Sequence, residues 1–165
     1  MISRRARSLI TLVVLVISLF ACSEKPYYEE YQPVAKAGWY ADSLISFEVE
    51  IEDTLSSYRI FLNFRGTNDY PFSNLYLFRK IYNKGSEAYS DTVNFIMADP
   101  YGKWLGEGMG AVKTFVRMYR RQPLRFNQKG KYRFELQQAM RENPLPGIKD
   151  VGITIYKVAD GKKEN

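Results

Sequence analysis

The chain reads as an all-β protein, an antiparallel β-sandwich of about seven or eight strands with jelly-roll-like or immunoglobulin-like connections. Three observations predict this. Aromatic content is high, with 13 Tyr and 10 Phe in 165 residues, and such side chains suit pleated, half-buried surfaces. Apolar residues recur at every second position in segment after segment, the period of a strand rather than a helix. Gly, Pro, Asn and Asp punctuate these segments at spacings that fit turns between short strands.

The first 21 residues stand apart from that pattern. Arg4, Arg5 and Arg7 precede a twelve-residue apolar run from Leu9 to Phe20, and Ala21-Cys22 follows. Twelve helical residues reach roughly 18 Å, short of the roughly 30 Å of bilayer hydrocarbon. The stretch therefore reads as a signal peptide, residues 1–21, rather than a permanent span. Cys22 is the sole cysteine, so an intrachain disulfide is impossible. A small residue before a thiol at the end of an apolar run is the arrangement that lipidation needs. The predicted anchor is a covalent diacylglycerol or acyl lipid on Cys22, with no other cofactor. Two or three acyl chains hold far more firmly than one, because each buried methylene contributes about 0.8 kcal/mol.

Residues 22–36 are polar, contain two prolines and show no period, so they are expected to be a lipidated N-terminus and flexible tether. A single sandwich domain is expected over 37–158 and a charged tail over 159–165. Ile45 to Glu52 alternates cleanly: Ile45, Phe47, Val49 and Ile51 face inward, while Glu48, Glu50 and Glu52 form a solvated face. Tyr58 to Arg65 alternates again, and Asn74 to Tyr82 supplies a third strand. A turn at Asn83-Lys84-Gly85 leads to a fourth, Tyr89 to Met97. Val112–Met118, Gln122–Phe126 and Gly130–Gln138 read as further strands, and Val151, Ile153 and Ile155 mark the last. A helical turn is expected over Gln138–Asn143, stopped by Pro144 and Pro146.

Two connections are dense in polar and aromatic side chains. The first, Arg65–Asn74, offers Asn68, Asp69, Tyr70, Phe72 and Asn74. The second, Ala98–Gly110, offers Asp99, Tyr101 and Trp104 among four glycines. Together these residues form a candidate binding surface for a glycan, with Tyr70, Phe72, Tyr101 and Trp104 as stacking platforms and Asn68, Asp69, Asn74 and Asp99 for hydroxyls. The bland reading is that the Asn and Asp side chains tie down their own backbone. Calcium at the Asp69 or Asp99 loop is a lesser reading. Asp99 and Glu107 are the only carboxylates here that could form a glycosidase pair, a weak signal without geometry.

Histidine is absent, which excludes Ser-His-Asp, Cys-His and His-based zinc chemistry. The glycine-rich loop lacks a Lys-Ser/Thr ending and is not followed by a helical pattern, so it is no phosphate-binding loop. Beyond the signal the chain holds 21 Lys and Arg against 18 Asp and Glu, no argument for nucleic acid. The basic run Arg117–Arg121 reads as a solvated strand end, with a contact for a partner or an anionic glycan as the lesser reading.

Taken together, Trp39, Ser46-Phe47, Asn68–Leu75, Met97–Gly106, Gln138–Arg141 and Gly147–Gly152 resemble the GldH gliding-motility lipoprotein family of Bacteroidetes, in order and over nearly the whole mature chain. The resemblance implies a non-enzymatic outer-membrane lipoprotein required for surface gliding and associated with the type IX secretion and motility machinery. It implies partners among other gliding or secretion lipoproteins and envelope proteins, reached from a lipid anchor. The periplasmic leaflet is favoured over the cell surface. No catalytic motif and no metal ligand comes with it.

Overall fold

The computed structural model describes residues 24–158 except Met109. The signal segment, Cys22 and the charged tail lie outside the described residues. The described chain forms eight strands: β1 (Tyr28–Pro33), β2 (Ile45–Ile51), β3 (Ser57–Thr67), β4 (Asn74–Asn83), β5 (Ser86–Ile96), β6 (Val112–Met118), β7 (Gly130–Gln138) and β8 (Ile148–Val158). No helix occurs among the described residues, and none there is long and apolar enough to cross a membrane.

The strands make two four-stranded antiparallel sheets, ordered β1-β8-β3-β6 and β2-β7-β4-β5. Of the consecutive pairs only β4–β5 stays within one sheet; every other connection crosses the sandwich. This is the jelly-roll order, which resolves the two topologies that the pattern left open. The β4–β5 hairpin is tight because Lys84 and Gly85 both take positive φ, 50° and 80°, matching the turn to the twist of the strands.

Alternation in the sequence becomes burial in the structure. In β2, Ile45, Phe47, Val49 and Ile51 are buried while Glu48 and Glu50 are exposed. Phe134 and Leu136 of β7 and Leu75 and Leu77 of β4 continue the same inner face, and Ile153 and Ile155 of β8 belong to the facing sheet, all with no exposure at all. Each such side chain contributes roughly 1.5–3 kcal/mol on leaving water. Aromatic rings fill the two ends. At one, Phe126 lies 5.3 Å from Tyr58 and 4.5 Å from Tyr132 between ring centres. At the other, Trp104 packs 5.8 Å from Tyr70 and 5.5 Å from Phe115.

Three expectations are corrected. The tether expected over 22–36 contains strand β1, paired antiparallel with β8 from Tyr28–Ile155 to Pro33–Asp150. Its polar composition hid it: as a sheet edge it half-buries Tyr28, Glu30 and Gln32 and leaves Glu29, Tyr31 and Pro33 exposed. The segment Gln122–Phe126 is not a strand. Pro123 has no amide to give a ladder, and only a bridge at Leu124 pairs with Tyr58, through hydrogen bonds of 2.7 and 2.8 Å. The helical turn over Gln138–Asn143 does not form either. The Gln138 side chain organises a bend instead, accepting from the Met140 amide at 2.8 Å and donating to the Glu142 carbonyl at 3.1 Å.

Candidate functional site

The two polar-aromatic connections meet at one end of the sandwich, but they are spent on each other. Tyr70 is 2% exposed, wedged among Phe72, Trp104 and the backbone of Gly147, and its hydroxyl donates to the Asn74 carbonyl at 2.6 Å. Burial pushes the Tyr70 hydroxyl pKa upward. Tyr70 is therefore part of the core, not a stacking platform. Trp104 is half-buried between Tyr70 and Phe115, and Phe72 packs partly against the same core. Of the four rings proposed for stacking, only Tyr101 stands open, at 96% exposure.

The polar members are likewise committed. Asp99 Oδ1 accepts the amides of Tyr101 and Lys103, both at 2.9 Å, so the carboxylate closes its own turn. Asp69 Oδ2 accepts from the Thr67 hydroxyl at 3.1 Å, and Asn74 donates to Asn94 Oδ1 at 2.8 Å. Asn68 is exposed at the head of that turn. Glu107 pairs through its backbone with Thr114, on the strand that Gly106 abuts through Phe115. Among the described residues no group of three or more His, Cys, Asp or Glu could hold a metal ion. Of the glycan and calcium readings of these loops there remain one open ring, Tyr101, and an exposed Asp69, while the Asp99 carboxylate is held in its own turn.

A cluster that went unread lies inside the sandwich. Arg79 occupies an inward position of β4 between Leu77 and Ile81, with its side chain 4% exposed. It donates to both carboxylate oxygens of Asp91, directly opposite on β5, at 2.9 and 2.5 Å. It also donates to the Tyr119 carbonyl beyond β6, joining the two sheets, and lies over the Tyr119 ring at 4.3 Å. Tyr89 donates to Asp91 at 2.5 Å, and Arg120 covers the Tyr89 ring at 5.0 Å. Burial pushes the Asp91 carboxyl up, but hydrogen bonds from Arg79 and Tyr89 and the charges of Arg79 and Arg120 outweigh it and hold its pKa below the usual carboxylate range. The signal was present in the sequence: Arg79 and Asp91 carry opposite charges at core-facing positions of two strands joined by a tight turn. Both Asp91 oxygens are taken up by Arg79 and Tyr89, so the cluster clamps β4, β5 and the segment after β6 together.

Beyond the clamp lie a cavity of about 310 Å³ between Tyr89, Arg120, Phe126 and Tyr132 and two outward faces. On the β1-β8-β3-β6 sheet, Tyr31, Val116 and Met118 are 41%, 52% and 50% exposed beside the paired rings of Phe61 and Tyr156. On the β2-β7-β4-β5 sheet, Tyr76 and Phe78 of β4 project outward at 42% and 44%.

Eight strands in jelly-roll order, with committed loops and no assembled catalytic or metal group among the described residues, define a β-sandwich whose free chemistry lies on its sheet faces. The model of the GldH lipoprotein family matches residues 26–155, and the chain belongs to that family. It is 37% identical over 161 residues to a gliding motility lipoprotein GldH homolog of Christiangramia forsetii, covering 93% of this chain and 98% of the relative. It is 35% identical over 151 residues to the gliding motility lipoprotein GldH of Flavobacterium johnsoniae, covering 87% of this chain and 92% of the relative. Among solved structures, a family GH115 4-O-methyl-alpha-glucuronidase matches 84% of this chain and 18% of its own, with a TM-score of 0.40 and 9% identity, too loose a likeness to support any argument.

Proposed function

We propose that this GldH-family protein is a non-enzymatic component of the gliding apparatus, associated with type IX secretion, that works by holding protein partners at the outer membrane. A diacylglycerol-bearing Cys22 anchors it, with the domain on the periplasmic side. The observation that carries this reading is the outward face of the β1-β8-β3-β6 sheet. Val116 and Met118, adjacent outward positions of the edge strand β6, are half exposed and apolar, and Met118 lies directly beside aromatic Phe61 of β3. An apolar strip on a sheet edge is a surface that another protein covers.

The test is affinity capture of the lipidated protein from its native membrane, followed by mass spectrometry, beside Cys22→Ala and Val116→Glu/Met118→Glu. Recovery of gliding or secretion components with the parent chain, and their loss in both variants, supports the reading. Equal recovery with all three proteins, or normal gliding and secretion after gene deletion, counts against it.

A further inference from the structure

The face opposite that strip has a different chemistry. Its strands bring Phe78, Lys80 and Tyr82 of β4 beside Gln137, Glu135 and Arg133 of β7, residue for residue. A cavity of about 180 Å³ lies between Leu44, Phe78, Lys80, Tyr82, Glu135 and Gln137. A second, of about 290 Å³, shares Tyr82 and continues past Arg133 to Lys131 and Glu48. The two share the Tyr82 ring, which Arg133 covers at 4.8 Å, and follow one another along β4 as a trough on the sheet's outer surface.

We propose that this trough binds a neutral polysaccharide chain, a site that lies beyond the protein-holding role above and does not depend on it. Three properties point to that ligand. Phe78 presents an open ring at 44% exposure and Tyr76 a second at 42%, two residues along the same strand and so on the same face. A sugar ring offers an apolar C–H face to such a platform and a rim of hydroxyls around it.

The polar groups flanking the platform supply both donors and acceptors, and they are held in place. Gln137 donates to the Ala41 carbonyl at 2.5 Å, and Lys80 is fixed beside Tyr82 and Glu87, whose presence raises the Lys80 pKa. Lastly, most of the charges along the face are paired, with Lys84 at the turn standing outside these pairs. Arg133 meets Glu135 at 3.1 Å, Lys80 meets Glu87 at 3.5 Å, and Lys131 meets Glu48 at 3.7 Å. Paired charges leave little net field to select an ion, yet keep lone pairs and N–H groups available to hydroxyls. Phe78 to Tyr82 covers about 13 Å of strand, so the trough takes a chain rather than a single sugar.

The test uses the full lipidated protein in detergent micelles, incubated with insoluble cellulose, xylan, mannan and β-1,3-glucan, beside the acidic polymer polygalacturonate. Retention on at least one neutral polymer is expected. Phe78→Ala should weaken it at least tenfold, Phe78→Trp should preserve or strengthen it, and Tyr101→Ala, at the far loop, should leave it unchanged. Phe78 is exposed, so the melting temperature of each variant should stay near the parent's and separate lost binding from lost fold. Failure to retain any neutral polymer, retention confined to polygalacturonate, or equal retention by Phe78→Ala and Phe78→Trp overturns the proposal. Partner capture through the β6 strip would be unaffected by any of these outcomes.

Discussion

Replacing Asp91 with Ala removes the carboxylate that compensates Arg79, and the consequences can be worked from the geometry. Arg79 cannot escape to water, because its side chain is only 4% exposed, and it cannot lose its proton, because the guanidinium stays charged. The variant therefore leaves a buried cation with the Tyr119 carbonyl and the ring faces of Tyr119 and Phe95 as its remaining partners. Breaking a buried pair from one side costs about 3–5 kcal/mol; the partial exposure of Asp91, 29%, argues for the lower end, about 3 kcal/mol. For a domain of this size that corresponds to a melting temperature about 10 °C lower.

The sharper expectation concerns the second substitution. Arg79→Met alone should cost less, about 2 kcal/mol, because the stranded Asp91 can turn toward solvent. Arg79→Met added to Asp91→Ala should restore stability, since it removes the uncompensated charge and puts a flexible apolar chain among Leu77, Ile81 and Phe95. Urea unfolding of the four proteins gives the cycle, with an expected coupling of at least about 1 kcal/mol. The clamp argument fails if Asp91→Ala lies within about 0.5 kcal/mol of the parent, or if the double variant is less stable than Asp91→Ala alone.

Acid unfolding should report the same clamp. The Asp91 pKa is lowered in the fold, so its contribution is fully present above the unfolded carboxylate value of about 4 and is lost as pH falls through the lowered folded value. Titrating stability from pH 6 to pH 2, on the order of that window, should show a shallower decline in Asp91→Ala than in the parent. Gly147→Ala should cost at least about 3 kcal/mol, because Gly147 takes φ 79° and an added Cβ would sit 2.3 Å from the Tyr70 amide nitrogen. Gly85→Ala, with a similar φ of 80° but open space around it, should cost only about 1–2 kcal/mol; equal losses at both sites would show that close approach to Tyr70 does not matter. Millimolar calcium or a chelator should leave the melting temperature unchanged, since the Asp99 and Asp69 carboxylates are held by their own turns. A calcium-dependent rise would contradict that account.

Period-two alternation exposed the central strands because their two faces differ: Leu75, Leu77 and Ile81 against Tyr76, Phe78 and Lys80 could belong only to a strand with one dry side. β1 escaped because neither face of an edge strand is fully dry, and Tyr28-Glu29-Glu30-Tyr31 offers no apolar contrast. The loop reading misjudged Tyr70 for a related reason. A tyrosine between Asp69 and Pro71 looks like a surface ring, and only the tertiary contact with Gly147 places it in the core. The clamp and the trough required cross-strand register. Arg79 faces Asp91, and Phe78 lies beside Gln137, only once β4, β5 and β7 are aligned.

Strand β1 also has a mechanical meaning. Five residues separate Cys22 from Tyr28, and a fully extended chain of that length reaches about 20 Å. With Cys22 lipidated as proposed, the sandwich sits against the headgroups with almost no slack. Any pull between the membrane and a bound partner then passes into the six-pair ladder from Tyr28–Ile155 to Pro33–Asp150 before it reaches the core. β1 is the first element to feel that load, and the strength of its pairing with β8 sets how much tension the anchored domain can bear.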